Sequence, residues 1–224
     1  MFPRLLRAVL VAGLVFTLGG TAQTLPAEPA NLYPVKQALR AYVDSGSYAK
    51  SIAEVALQAN KYLVKRIAKG AKPGKKLAIV FDIDETTLSN LSHILGHDFG
   101  YMPKDWDTWV VSGRAPAIIP VQIIYDTAVR GKVDVFFITG RGEEQRSSTE
   151  RNLRDVGYDT WARIYFKPAT DKELTTRGFK VDTRRMLEQQ GYVIIANVGD
   201  QDSDLLGGYA ERWFKLPNPF YIMK

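Results

Sequence analysis

From residue 77 onward the chain repeats one arrangement: a short apolar run, a stretch with helical spacing, and a glycine. The apolar runs fall at 77–82, 133–138, 163–166 and 193–197, with a late one at 213–216. Helical spacing occupies 121–130, 143–156 and 182–190, and Gly131, Gly157 and Gly191 follow those stretches as helix-stopping residues. Strands alternating with helices in this way imply an α/β fold, a mainly parallel, Rossmann-like sheet with helices on both faces. At 224 residues the chain has room for one sizeable domain of this kind.

Two further regions frame the alternation. Residues 35–69 carry apolar positions at spacings of three and four, interrupted at Asp44, Ser45 and Gly46, which predicts two helices ahead of the first strand. The segment 89–120 fits the alternation poorly. It holds Tyr101, Trp106, Trp109, both histidines and three prolines, and reads as a small cap inserted after the first strand. The expected domain therefore spans 35–224, preceded by an extended linker over 23–34.

Residues 1–22 have the layout of a secretory signal peptide: Arg4 and Arg7, an apolar run over 8–18, then small residues to Ala22. The apolar run is far short of the roughly 20 residues that span a bilayer, so no membrane anchor is expected after cleavage, and the expected location is periplasmic or secreted. The absence of Cys excludes disulfides, a thiol nucleophile and Cys-ligated zinc. The formal charge of +6 falls to nearer +4 once the two leader arginines are gone, and the basic residues are scattered. That pattern favours small anionic molecules over nucleic-acid polymers as partners. The oligomeric state is left open.

In an open parallel sheet, ligands bind beyond the carboxyl ends of the strands. There the sequence places "DID" with Asp82 and Asp84, "ITGR" with Thr139 and Gly140, and "VGDQDSD" with Asp200 and Asp204. Carboxylates with no Cys and little His suit a hard divalent cation such as magnesium. Electrostatics demand cations as well: a phosphate dianion about 4 Å from one carboxylate is opposed by roughly 8 kcal/mol at an effective dielectric near 20.

"FDIDETTLSN", "ITGR", a downstream lysine and "GDQDSDL", in that order, resemble the four motifs of the haloacid dehalogenase superfamily. More narrowly, the first and last resemble the secreted class B, or plant-type (IIIB), acid phosphatases. The resemblance implies a magnesium-dependent phosphomonoesterase in which Asp82 is the nucleophile that forms an aspartyl-phosphate. Asp84 is implied as general acid and base, with its backbone carbonyl on the metal. Thr139 and the Gly140 amide are implied to hold phosphoryl oxygens, and Asp200 to complete the metal site. Asp204 is implied either as a second metal ligand through water or as a partner for the lysine. Motif placement favours Lys180 as that lysine, with Lys167 and Lys172 as rivals; Arg141 and Arg184 either supplement the positive field or, the favoured reading, are solvated at the surface.

Plainer readings account for less. A helix cap explains one acid at roughly 1 kcal/mol and leaves three aspartates unexplained. A calcium loop needs a glycine where Thr87 stands. His93 and His97 have a metal-binding spacing but loop-like surroundings, so lid contact or surface exposure is expected of them. The three aromatic residues form the small core of a lid or stack on a leaving group. A receiver-type signalling domain lacks the second acid, and a catalytically inactive storage or binding protein needs no leaving-group acid.

Overall fold

The computed structural model describes Pro29, residues 31–169 and residues 175–223. The expected leader and Lys172 lie outside the described residues, and among these no helix is long and apolar enough to cross a membrane.

Strands β1 (Lys76–Phe81), β2 (Asp134–Gly142), β3 (Arg163–Lys167), β4 (Tyr192–Gly199) and β5 (Trp213–Lys215) form one sheet. Its order is β3-β2-β1-β4-β5, and every pairing is parallel. Helices α1 (Leu32–Asp44) and α2 (Ser47–Ile67) precede it; α3 (Leu91–Gly96), α4 (Pro103–Ser112) and α5 (Ile119–Arg130) lie between β1 and β2. A short 3-10 turn (Glu143–Gln145) leads into α6 (Arg146–Asp155), and α7 (Thr176–Gln189) and α8 (Asp202–Leu205) flank β4.

Successive side chains of a strand point to opposite faces, and β1 is apolar on both. Ile79 and Phe81 join the larger core with Val121 and Ile124 of α5 and Leu63 of α2. Ala78 and Val80 join a second core with Phe179 and Leu187 of α7. Two covered faces explain why the strand reads as an unbroken apolar run. Chain order reverses on either side of β1, so the crevice between the ends of β1 and β4 is the topological switch point at which such sheets bind ligands.

Among the boundaries that differ from the sequence expectation are those of α1, β2 and α7. Helix α1 takes in residues 32–34, assigned above to the linker. Strand β2 runs on through Thr139 to Gly142, with an irregularity in its pairing to β3 between Thr139 and Gly142. Helix α7 begins at Thr176 rather than 182, because its buried stripe contains Thr176, Phe179, Lys180, Thr183, Arg184 and Leu187. That stripe has helical spacing, but polar residues fill most of it.

Candidate active site

Strand β1 delivers Asp82 to the switch point, where the Asp82 amide still donates to the Val198 carbonyl of β4 (3.0 Å). The chain then turns sharply: Ile83 O accepts from the amides of Thr86, Thr87 and Leu88, and Glu85 takes a left-handed φ of 52°. Thr87 Oγ1 donates back to the carbonyls of Asp82 and Ile83, fixing the turn.

From β4 come Asp200 and, on α8, Asp204. Carboxylate oxygens of Asp82, Asp200 and Asp204 lie within 4.8 Å of one another, and all three residues are buried. Gly199 permits this closeness, since a Cβ there would collide with Asp204. Lys180 Nζ, from α7, donates to Asp82 Oδ1 (2.5 Å) and Asp204 Oδ1 (2.6 Å). Asp204 is thus the partner of the lysine, and its other oxygen accepts from the Gln201 amide. The loop is held from behind by Arg184, whose guanidinium donates to the carbonyls of Asp204, Leu206 and Gly208.

Burial dominates the electrostatics. It pushes the Asp82 carboxyl well above the usual carboxylate range, against the pull of Lys180, with Asp204, Asp200 and Asp84 adding to the rise. Asp200 is pushed up to about 7 by burial and by Asp204, although Gln201, Asn218 and Thr86 all donate to it. Burial works against the Lys180 ammonium as well, yet Asp204 and Asp82 hold its pKa above the ordinary lysine value. Among the described residues, three buried carboxylates therefore share the Lys180 ammonium. An oxygen-only donor set with excess negative charge, out of water, fits a hard divalent cation held by Asp82 and Asp200.

Asp84 stands apart from that cluster. Arg141 Nη2 and Nε grip its carboxylate (2.7 Å to Oδ1 and 3.2 Å to Oδ2), and Asn90 Nδ2 adds a third donor. Arg141 is buried, with Nη1 on Thr149. The expectation of solvated arginines is therefore wrong for both Arg141 and Arg184: each guanidinium has several acceptors in fixed positions, and those acceptors come from segments distant in sequence. Thr139 is fully buried at the end of β2, its Oγ1 accepting from the Arg141 amide, and Gly140 lines the cleft. Lys167 reaches Thr176 rather than the carboxylates.

The cleft above these residues measures about 640 Å³. Its lining includes His93, Phe99, Tyr101 and Trp106 together with Phe220 to Met223. His93 lies on α3 rather than in a loop. Its ring stacks on Trp109 (5.6 Å) and faces His97 (4.2 Å), and neither histidine belongs to the carboxylate cluster. Burial and His97 lower the pKa of His93. Trp109 turns inward, donating to Asn90 Oδ1, while Tyr101 and Trp106 line the opening.

Sequence reasoning did not reach the supporting residues. Glu85 is fully buried, accepts from Asn90 and from the Tyr221 hydroxyl, and so ties the end of the chain to the β1 turn. Lys215 donates to the Asp200 carbonyl. Among the described residues, Ser203 Oγ, buried at the cleft, has no hydrogen-bond partner. The only sequence signal for them was proximity to the motifs.

A family model described as haloacid dehalogenase superfamily, subfamily IIIB (acid phosphatase) matches residues 16–224. Acid phosphatase 1 of Solanum lycopersicum is 34% identical over 205 residues, covering 90% of this chain and 77% of its own. A stem 28 kDa glycoprotein of Glycine max is 34% identical over 194 residues, covering 84% and 74%. The solved class C acid phosphatase of Bacillus anthracis superposes with a TM-score of 0.69 at 26% identity, over 84% of this chain and 86% of that one.

Proposed function

The chain belongs to the acid phosphatases of the haloacid dehalogenase superfamily, subfamily IIIB, and from that premise we propose that it is an exported, magnesium-dependent enzyme working through an aspartyl-phosphate on Asp82. The chemistry is phosphomonoester hydrolysis, and the substrates are small molecules. The observation that carries the proposal is the Lys180 bridge between Asp82 and Asp204 beside Asp200.

An Asp82 oxygen attacks phosphorus as the ester oxygen departs, and the leaving alkoxide takes a proton from Asp84. Asp84 then takes a proton from the water that attacks the acyl-phosphate, which frees phosphate and restores the Asp82 carboxylate. Arg141 and Asn90 fix the Asp84 carboxylate in place; when Asp84 carries the proton, one of those donors must give way. Lys180, Thr139 and the Gly140 amide hold phosphoryl oxygens. Asp82, Asp200 and the Asp84 carbonyl would hold magnesium, which would supply positive charge against the incoming phosphate. The leader over residues 1–22 supports export, with cleavage near Ala22 or Gln23.

The test is acid quenching of the enzyme during turnover of an aryl phosphate, followed by peptide mass analysis. Phosphate on the Asp82 peptide, released by hydroxylamine and absent from Asp82→Asn, is the expected result. Wild-type turnover by Asp82→Asn would overturn the assignment and leave a binding or storage role on this scaffold.

A further inference from the structure

The rim contains a pair of residues in a backbone conformation that side chains rarely adopt. Asp98 has φ 50° and Phe99 φ 63°. Consecutive left-handed residues persist only where the surroundings over-determine them, and such positions cluster at ligand clamps. Phe99 is a wall of the cleft, its ring stacked on Phe220 at 6.0 Å.

Backbone bonds from Asp98, Phe99 and Gly100 to the carbonyls of Leu95, Ile94 and His97 hold this turn, and α1 adds side-chain contacts to it. Lys36 and Arg40 lie four residues apart, on one face of the helix. Lys36 Nζ donates to Asp98 Oδ2 (2.7 Å), and Arg40 Nη2 to Asp98 Oδ1 (3.0 Å) and to the Leu95 carbonyl (3.1 Å). The Arg40 guanidinium also sits over the Phe99 ring, 5.3 Å from its centre. Helix α1 also packs Tyr42 and Val43 against the core, so its position, and with it that of Lys36 and Arg40, is anchored apart from the turn. Two cations thus grip the acid at the bend, and one of them lies over the ring that lines the cleft.

We infer that Lys36 and Arg40 are specificity-positioning residues: through Asp98 and the Phe99 ring they hold one apolar wall of the cleft in place, favouring phosphate esters with a flat or apolar leaving group over small polar ones. This rests on the phosphatase reading. Neither residue touches the reacting atoms.

Calorimetric binding of phenylphosphonate and methylphosphonate, in excess magnesium, reads the wall without turnover. Arg40→Gln is expected to weaken phenylphosphonate about threefold and leave methylphosphonate unchanged, with Arg40→Lys keeping part of the preference. The kcat/KM ratio for phenyl phosphate over glycerol phosphate should fall by the same factor, through KM. An unchanged preference in Arg40→Gln, or equal weakening of both phosphonates, overturns the inference. The two ideas fail separately. Absent hydrolysis of phenyl phosphate with a shifted binding preference sinks the phosphatase reading alone; normal hydrolysis with no shift sinks the clamp alone.

Discussion

The floor and the rim of the cleft are built on opposite terms. On the floor, Asp82, Thr139, Lys180, Asp200 and Asp204 are all buried, and each comes from or next to an element packed against the sheet. On the rim, Tyr101 and Asp98 are exposed, and the ion pairs that hold the turn face solvent. Buried charges cannot be rearranged cheaply, because breaking one pair leaves its partner uncompensated out of water. Exposed pairs are worth little individually and are screened by salt. The chemistry is therefore held rigidly, while the part that meets the leaving group tolerates change.

The largest expected effect tests the floor. Asp82→Asn should lower kcat by about 10⁴-fold, with a melting temperature within a few degrees of wild type by calorimetry. Undiminished hydrolysis would break the comparison outright. Stripping divalent cations should reduce turnover by about 10³-fold, restored by magnesium. Magnesium should also raise the melting temperature, since a ligand at 100 times its Kd adds about 2.7 kcal/mol. Gly199→Ala should lower both kcat and the melting temperature, because its Cβ displaces Asp204 from Lys180.

Arg141→Gln should reduce kcat by about 10- to 100-fold with KM little changed, as loss of a partner that orients a reacting group does; a pure KM effect would move Arg141 from floor to rim. Tyr101→Ala should raise KM for an aryl phosphate about threefold and leave kcat and a glycerol ester untouched.

The smallest effect is a flat line. Hydrogen bonds from Lys36 and Arg40 hold the Asp98 carboxyl below its ordinary value of 3.8. A depressed carboxylate contributes above its unfolded value and loses that contribution only as pH falls through its folded value. Asp98 should therefore contribute no midpoint to the binding preference for phenylphosphonate between neutral pH and about 4; a midpoint in Arg40→Gln that differs from wild type in that range would show that the clamp does titrate there.

Where strands were apolar on both faces, as at β1 and β4, their positions were legible in the sequence, and the acids at their ends followed. Helix α7 was misjudged because its buried stripe is Thr, Lys and Arg, which read as solvated positions until their partners are known. Arg184 and Arg141 failed for the same reason: the carbonyls of residues 204–208 and the Asp84 carboxylate are 20 and more positions away. Around His93 the sequence reads as a loop because Gly96 hides a helix of six residues.

The sequence by itself determined the parallel sheet and the four motifs at its strand ends, since periodicity and turn residues are local properties of the chain. Only the tertiary structure decided which cation meets which acid and which wall meets the leaving group. Those pairings join segments from 24 to 98 residues apart, and their energies arise from burial, a property no local stretch possesses.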